Sequence, residues 1–136
     1  MASERVMGVG VLGFGFMGRT HTYAHKAIPF YYDPPPVKCR MVAVCRANAS
    51  LLDRARVMGG FDRCTTDPLE VIDDKEVDIV HICTPNSEHM PALRAAIAAG
   101  KHVYVDKPVT ASLSEAEELA GLLDDYEGVA LSLIHI

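Results

Sequence analysis

Lys107 is the residue whose type and position most directly suggest acid–base chemistry. It stands between Asp106 and Pro108, immediately after an apolar run at residues 102–105. A lysine exchanges a proton with a substrate when burial or a nearby positive charge lowers the pKa of its ammonium group. Lys107 is therefore a candidate for proton transfer at the end of a strand. The alternative is an exposed lysine in an ordinary strand-to-helix loop.

A second group of residues has the spacing of a phosphate-binding turn. Gly13, Gly15 and Gly18 form the pattern G-x-G-x-x-G after an apolar run at residues 9–12 and before a segment that is able to form a helix. The first glycine permits a tight turn, the second lets the backbone approach a pyrophosphate, and the third lets the helix pack against the strand. The pattern predicts a dinucleotide-binding turn. The alternative is a glycine-rich turn that binds no ligand.

Strand-like and helix-like segments alternate along the whole chain, without repeats or low-complexity segments. The alternation predicts an α/β fold with an open parallel sheet covered by helices on both faces. Ligands bind beyond the carboxyl ends of the strands in such sheets, so the residues directly after each strand are the candidates for function. Strands are predicted at residues 9–12, 40–45, 63–65, 77–83 and 102–105, with a sixth beginning at 128–131, and the first helices at about 17–27 and 49–58.

Short motifs predict where several helices begin. Asn48 precedes a helical segment and has a side chain that caps helix N-termini. Asn86 or Ser87 is expected to cap the helix after the fourth strand. Ser114-x-x-Glu117 has the form of a capping box and predicts the start of the last helix.

The segment at residues 28–37 combines three consecutive prolines with three aromatic residues. Three prolines in a row exclude a helix or a central strand there. We expect an ordered loop that folds against the domain, with Phe30, Tyr31 or Tyr32 packed down. Alternatively, these aromatics line a substrate entrance or a subunit contact.

Composition indicates an ordinary globular domain of 136 residues with a net charge of −5 and 49% hydrophobic residues. The absence of basic runs argues against a nucleic-acid or anionic-membrane partner, and no apolar run is long enough for a transmembrane helix. The N-terminal segment carries an acid and leads straight into the first strand, so it resembles neither a signal nor a transit peptide. The four cysteines form no C-x-x-C pair, and no histidine pair has metal-ligand spacing. We therefore expect a reduced, cytoplasmic protein without a metal site.

Three motifs together resemble the nucleotide-binding domain of the glucose–fructose oxidoreductase/inositol dehydrogenase (Gfo/Idh/MocA) family. They are G-F-G-F-M-G at residues 13–18, C-T-P-N-S-E-H at 83–89 and G-K-H-V-Y-V-D-K-P at 100–108. The glycine motif is shared with many families, whereas the other two, in this order, are far more specific. The resemblance extends over almost the whole chain. It implies a Rossmann-type, doubly wound parallel sheet and an NAD(P)-dependent oxidoreductase that acts on sugars, cyclitols or related polyols.

The resemblance also implies roles for individual residues. Lys107 is expected to reach the substrate hydroxyl and take part in proton transfer, within a segment that has Asp106 where the family more often has glutamate. His89 is expected to line the cofactor cleft, or alternatively to be a packed or capping residue. The complete set of expected cofactor-binding residues is Gly13, Phe14, Gly15, Phe16, Met17, Gly18, Arg46, Cys83, Thr84, Pro85, Asn86, His89, Asp106, Lys107 and Pro108.

Arg46 departs from the usual pattern of a dinucleotide fold. An acidic residue commonly follows the second strand and binds the adenosine ribose, but here Cys45 is followed by Arg46. An arginine is suited to a 2′-phosphate, which a carboxylate would repel. We therefore predict NADP(H) in preference to NAD(H). If Arg46 instead points into solvent, the preference is undecided.

The C-terminal end departs from the family pattern at Ser132. Family members continue into a substrate-binding domain, which often builds a homo-oligomer, and we expect that domain to be absent here. The last residues, L-S-L-I-H-I, match one reading frame of a transposon-type sequencing adapter. We expect residues 1–131 to form the Rossmann domain and residues 132–136 to be a non-native tail. This fragment is expected to be inactive by itself.

Two other functions are compatible with parts of this pattern. A non-catalytic NAD(P)-binding redox sensor or regulatory module would use the glycine turn, but it would have no use for Lys107. A methyltransferase-like domain also places G-x-G after its first strand. The third glycine and the Asp106–Lys107–Pro108 segment argue against it.

Overall fold

The computed structural model describes residues 6–132, which form a six-stranded parallel sheet in the order β3-β2-β1-β4-β5-β6. This order is that of a doubly wound Rossmann fold, in which the strand order reverses next to β1. The strands are β1 Val6–Leu12, β2 Lys38–Cys45, β3 Arg63–Thr65, β4 Ile79–Ile82, β5 His102–Val105 and β6 Ala130–Ser132. The helices are α1 Phe16–Tyr31, α2 Leu52–Gly59, α3 Pro68–Ile72, α4 His89–Ala98 and α5 Leu113–Leu123.

The predicted fold class and all six strands are confirmed, with bounds that differ by a few residues. Ser132 belongs to β6 and pairs with Val105. Residues 133–136, most of the segment expected to be a non-native tail, lie outside the described residues.

Two apolar clusters hold the helices against opposite faces of the sheet. The first joins Val80, Ile82 and Val103 to α4 through Met90 and Leu93. The second lies under α2 and contains Val9, Val11, Val44, Ala55 and Phe61, among others. Alternate residues of one strand serve opposite faces because side chains alternate along a strand. The sheet is therefore buried on both sides near its centre.

Helix α1 continues to Tyr31, four residues beyond its predicted end, with Pro29 inside the last turn. The amide of Tyr32 donates to the Ile28 carbonyl at 3.1 Å and closes that turn. The expectation that an aromatic residue of this segment packs against the domain is wrong. Phe30 is 86% exposed and Tyr31 77% exposed, because the extended helix directs them outward, and Tyr32, directly after the helix, is 58% exposed. Their alternative role at an entrance or a subunit contact stays a prediction.

Two of the predicted caps are also corrected. Helix α5 begins at Leu113, and the Ser112 hydroxyl accepts a bond from the Glu115 amide at 3.2 Å, so the cap lies two residues before the predicted Ser114. Residues 86–88 form a short 3₁₀ turn, and neither Asn86 nor Ser87 caps α4. At the start of α5, sequence alone does not separate Ser112 from Ser114, because each serine is followed three residues later by a glutamate.

The cap at Asn48 is confirmed. Its side chain accepts a bond from the Ser50 amide at 3.0 Å and starts a 3₁₀ turn before α2.

The cysteines are free thiols, and Cys45 is buried in the core. Burial raises the pKa of the Cys45 thiol to about 11 and that of Cys83 to about 12. Both therefore remain protonated at neutral pH and behave as small core residues. Between residues 6 and 132, no helix is long and apolar enough to cross a membrane, and no group of three or more His, Cys, Asp or Glu residues is arranged to hold a metal ion.

Candidate functional site

The loops that follow β1, β2, β4 and β5 lie side by side at the carboxyl edge of the sheet. Backbone hydrogen bonds continue past the strand ends and hold neighbouring loops in register. These bonds run from Gly13 to Cys45 (3.0 Å), from Cys83 to Leu12 (2.8 Å) and from Asp106 to Ile82 (2.9 Å), the amide donating to the carbonyl each time. The segments that directly follow these four strands therefore lie together along one edge of the sheet, and we call the space in front of them the cleft.

The turn between β1 and α1 has the features expected of a phosphate-binding turn. Gly13 has a φ of +85°, and a Cβ there would lie 2.6 Å from the Cys83 carbonyl oxygen, so a side chain is excluded. A Cβ on Gly18 would collide with the carbonyl of Gly13. A Cβ on Gly15 would meet no atom within 4 Å. The predicted roles of Gly13 and Gly18 in the turn are confirmed, and the space beside Gly15 is open to a ligand.

A dinucleotide fits the polar groups of this cleft. Gly15 is the N-cap of α1 without any side-chain cap, so the first amides of the helix are left for an anion. The Thr84 hydroxyl and the Asn86 amide oxygen are both buried without a hydrogen-bond partner among the described residues. Buried polar atoms rarely stay unpaired in native proteins, so these two indicate a ligand or ordered water at the cleft.

The side chains of Phe14, Phe16 and Met17, three other predicted cofactor-binding residues, lie in different surroundings. The Phe14 side chain is 4% exposed and packs edge-to-face on Phe61, with ring centroids 5.7 Å apart. Its contribution at the cleft is mainly that of its backbone carbonyl. Phe16 is exposed, and Met17 lines a separate pocket with His21.

Arginines form a small pocket at the end of the cleft nearest β2. The Arg46 guanidinium donates from Nη1 to the Phe14 carbonyl oxygen at 3.1 Å, and Arg19 donates from Nε to the Gly15 carbonyl oxygen at 3.2 Å. Arg54 on α2 completes a cavity of about 170 Å³. The residues that line it are Phe14, Gly15, Arg19, Arg46, Leu51, Arg54, Ala55 and Met58, with no carboxylate among them.

The arrangement favours an anion in this pocket. Of the three arginines, the sequence analysis singled out only Arg46. The position of Arg19 directly after the glycine motif could have pointed to it, whereas no sequence signal points to Arg54.

Lys107 lies exposed on the loop after β5. The Asp106 carboxylate accepts a bond from the Lys107 amide at 2.9 Å, which fixes the backbone where the strand ends. Asp106 itself is half-buried. The lysine side chain thus starts from a defined position at the edge where the cleft opens.

His89 lies beneath the cleft instead of lining it, because its side chain is packed at the start of α4 and is only 1% exposed. Its Nε2 lies 2.9 Å from the Thr84 carbonyl oxygen, and its Nδ1 lies 2.9 Å from the Pro108 carbonyl oxygen. One imidazole therefore contacts the loop after β4 and the loop after β5.

Three histidines that the sequence leaves as structural form a chain between α1 and the sheet. His81 contacts His21 through the two Nδ1 atoms at 2.8 Å and His25 through the two Nε2 atoms at 2.7 Å. Tyr104 stacks on His21 with ring centroids 4.6 Å apart. Burial lowers the pKa of all three histidines, and that of His81 falls to about 3. They are therefore neutral at physiological pH.

Comparisons with known proteins agree with this geometry. The model of the oxidoreductase family with an NAD-binding Rossmann fold, Gfo/Idh/MocA, matches residues 7–134. Levoglucosan dehydrogenase of Pseudarthrobacter phenanthrenivorans is 34% identical over 88% of this chain and 30% of its own length. Inositol 2-dehydrogenase 4 of Saccharopolyspora erythraea is 36% identical over 88% of this chain and 35% of its own length.

A solved structure of levoglucosan dehydrogenase in complex with NADH superposes with a TM-score of 0.90 at 32% identity. The match covers 94% of this chain and 34% of that one. The chain thus spans about a third of the length of the relatives it matches.

Proposed function

We propose that the chain, which belongs to the Gfo/Idh/MocA oxidoreductase family, is the cofactor-binding part of an enzyme that transfers hydride between a sugar, cyclitol or related polyol and a nicotinamide dinucleotide. The observation that carries the proposal is the meeting of the glycine turn, the Thr84 loop and the Lys107 loop around one cleft. Two of the relatives, a levoglucosan dehydrogenase and an inositol 2-dehydrogenase, support this substrate class.

In this proposal each loop has a separate task. The amides at the start of α1 and the open front of Gly15 hold the pyrophosphate. Thr84 and Asn86 offer their unpaired oxygens to the nicotinamide half. Lys107 takes the proton of the substrate hydroxyl, since hydride leaves a carbinol carbon only as that proton is removed. The nicotinamide, when bound, supplies the hydride chemistry.

The three-arginine pocket supports NADP(H) as the preferred cofactor, with NAD(H) as the alternative. Arg46 follows β2, the place where a carboxylate would bind the ribose hydroxyls of NAD. Its bond to the Phe14 carbonyl holds its guanidinium at the cleft, where Arg46 is half-buried. Arg19 and Arg54 add positive charge to the same cavity, which suits a 2′-phosphate.

A titration of the purified chain with NADPH and NADH, followed by nicotinamide fluorescence and thermal unfolding, tests both parts of the proposal. We expect NADPH to bind about tenfold more tightly, which is about 1.4 kcal/mol. Arg46→Asp is expected to abolish or reverse this preference, because the new carboxylate repels the phosphate and accepts from ribose hydroxyls.

Lys75→Asp is the matched control for the Arg46 variant. It changes the net charge equally at an exposed position before β4, at the opposite edge of the sheet. An equal preference in the wild-type chain would refute the NADP assignment while leaving the dinucleotide site intact. Failure of a folded chain to bind either nucleotide would refute the site itself.

A further inference from the structure

We propose that His89 is a positioning residue that holds the Thr84 loop and the Lys107–Pro108 segment at a fixed separation, and so shapes the nicotinamide half of the cleft. The inference rests on the proposed function, since it assigns a task within the same cleft. It differs from the expectation of a cleft-lining histidine, because the ring acts through two backbone segments and not by touching the ligand.

The geometry of the ring makes it suited to this task. Its nitrogens lie 2.9 Å from the carbonyl oxygens of Thr84 and Pro108, which belong to loops after neighbouring strands. Both partners are backbone carbonyls, which only accept, so the two bonds form together when each ring nitrogen carries an N–H, as in the imidazolium form, whereas a neutral ring donates to one of them. Because the partners are backbone atoms, the link constrains the paths of the loops themselves. Thr84 lies 5 residues and Pro108 19 residues away from His89 in sequence, so the ring joins segments that are distant along the chain.

The helix that carries the ring is anchored in the core. His89 is the first residue of α4, and the next residue on the helix, Met90, is 1% exposed in the core. Leu93, one turn further on, is also 1% exposed. The helix therefore presents the imidazole from a rigid support, as a site built to hold a geometry requires.

Both linked segments carry groups that the proposed function places at the nicotinamide end. Pro108 directly follows Lys107, so a displacement of its carbonyl moves the lysine backbone. The Thr84 loop carries the unpaired oxygens of Thr84 and Asn86. Small misplacements of such groups have large effects on reactions and on binding, because the contacts require alignment. The adenosine end, with Arg46, lies on the loop after β2, to which His89 makes no described bond.

Two conservative variants separate the two links. In His89→Asn, the amide nitrogen falls near the position of Nδ1 and retains a donor for the Pro108 carbonyl alone. In His89→Gln, it falls near Nε2 and retains a donor for the Thr84 carbonyl alone. His89→Leu removes both links while leaving an apolar side chain of similar volume.

The experiment compares the binding of NADPH with that of 2′,5′-ADP, which has the adenosine half and the 2′-phosphate but no nicotinamide. For His89→Leu, we expect NADPH affinity to fall about tenfold and 2′,5′-ADP affinity to stay within about twofold of wild type. The NADPH affinities of His89→Asn and His89→Gln, which each keep one link, are expected to lie between those of wild type and His89→Leu. Leu93→Ala is the matched control, since it weakens the same helix and should leave the ratio of the two affinities unchanged.

The outcomes separate this proposal from the function on which it rests. Equal losses for both ligands, or a changed ratio in Leu93→Ala as well, would mean that His89 is only a packing residue. Unchanged NADPH binding in all folded His89 variants would overturn the proposal outright. If the wild-type chain binds 2′,5′-ADP no better than 5′-AMP, it is the NADP assignment that fails, and the comparison is made with NADH and ADP. If His89→Leu does not fold, the ratio in the Asn and Gln variants decides.

Discussion

Lys107 shows how the task of a single residue depends on where a strand ends. Its backbone is held by Asp106 at the end of β5, and its side chain is free to reach into the cleft. In the enzyme that we propose, Lys107→Met is expected to lower kcat by about 10²–10⁴-fold, the usual contribution of a general acid or base. Binding of NADPH, measured by fluorescence, should change little. Normal turnover in this variant would remove Lys107 from the mechanism and favour the sensor alternative.

The buried histidine chain makes a separate prediction about pH. The pKa of His81 in the folded state is far below that of an unfolded histidine. As the pH falls, His81 therefore stays neutral in the folded protein where it takes up a proton in the unfolded protein. The contribution to stability is thus complete above about pH 6.5 and is lost as the pH falls towards the folded pKa of about 3. The other groups that face this chain include the neutral Tyr104 and Cys83 and the carboxylate of Asp106, which raises the pKa of His21 against the larger effect of burial.

Urea unfolding between pH 7.5 and 5 measures this effect above the range in which most carboxylates titrate. The free energy of unfolding should fall by up to about 1.4 kcal/mol per pH unit for each histidine that stays neutral. In His81→Leu, about one proton fewer should be taken up on unfolding, so the free energy of unfolding should depend less steeply on pH. A wild-type stability that is constant over this range would contradict the arrangement of the three rings.

At the scale of elements, α1 and α4 use their apolar residues in opposite ways. Phe16, Tyr23 and Phe30 recur every seven residues along α1 and are exposed, because seven residues make almost two full turns and return to the same side. The apolar residues Met90 and Leu93 of α4 are buried against the sheet. A large side chain is thus no guide to burial unless the orientation of its helix is known.

This contrast is testable by substitution. Phe30→Ser should change the free energy of unfolding by less than about 0.5 kcal/mol, since an exposed ring loses little on removal. Leu93→Ala should cost about 2–5 kcal/mol, because it leaves a cavity in the core. Urea denaturation of both variants measures the difference. A large loss for Phe30→Ser would restore the prediction that this aromatic packs against the domain.

At the scale of the whole molecule, the described cleft is built by the loops of one sheet edge. The chain corresponds to about a third of the length of its relatives. We expect the 136-residue chain to bind NADPH and yet to give no polyol-dependent reduction of NADP⁺, because substrate would meet only one wall of a site. Absorbance at the reduced nicotinamide band, with levoglucosan and myo-inositol as substrates, provides the measurement. Robust turnover would show that the substrate-binding groups lie within this chain.

Much of the fold was predictable because it depends on local patterns. Short apolar runs and the alternation of strand-like and helix-like segments located all six strands, and Gly13 and Gly18 were placed correctly in their turn. The end of α1 was not, because a proline near a helix end loses only one hydrogen bond and does not have to stop the helix. The cap of α5 was not either, because the competing serine–glutamate pairs differ only in their tertiary surroundings.

The candidate site divides in the same way. The sequence by itself determined the parallel α/β fold, the glycine turn and the loops that carry Arg46 and Lys107. The alternation of strand-like and helix-like segments and the local spacing of residues encode these features. Only the tertiary structure decided that Arg19 and Arg54 join Arg46 in one pocket, and that His89 links two loops from beneath. These side chains come from different elements, and their meeting depends on how helices pack on the sheet. Periodicity along the chain carries no information about such distances.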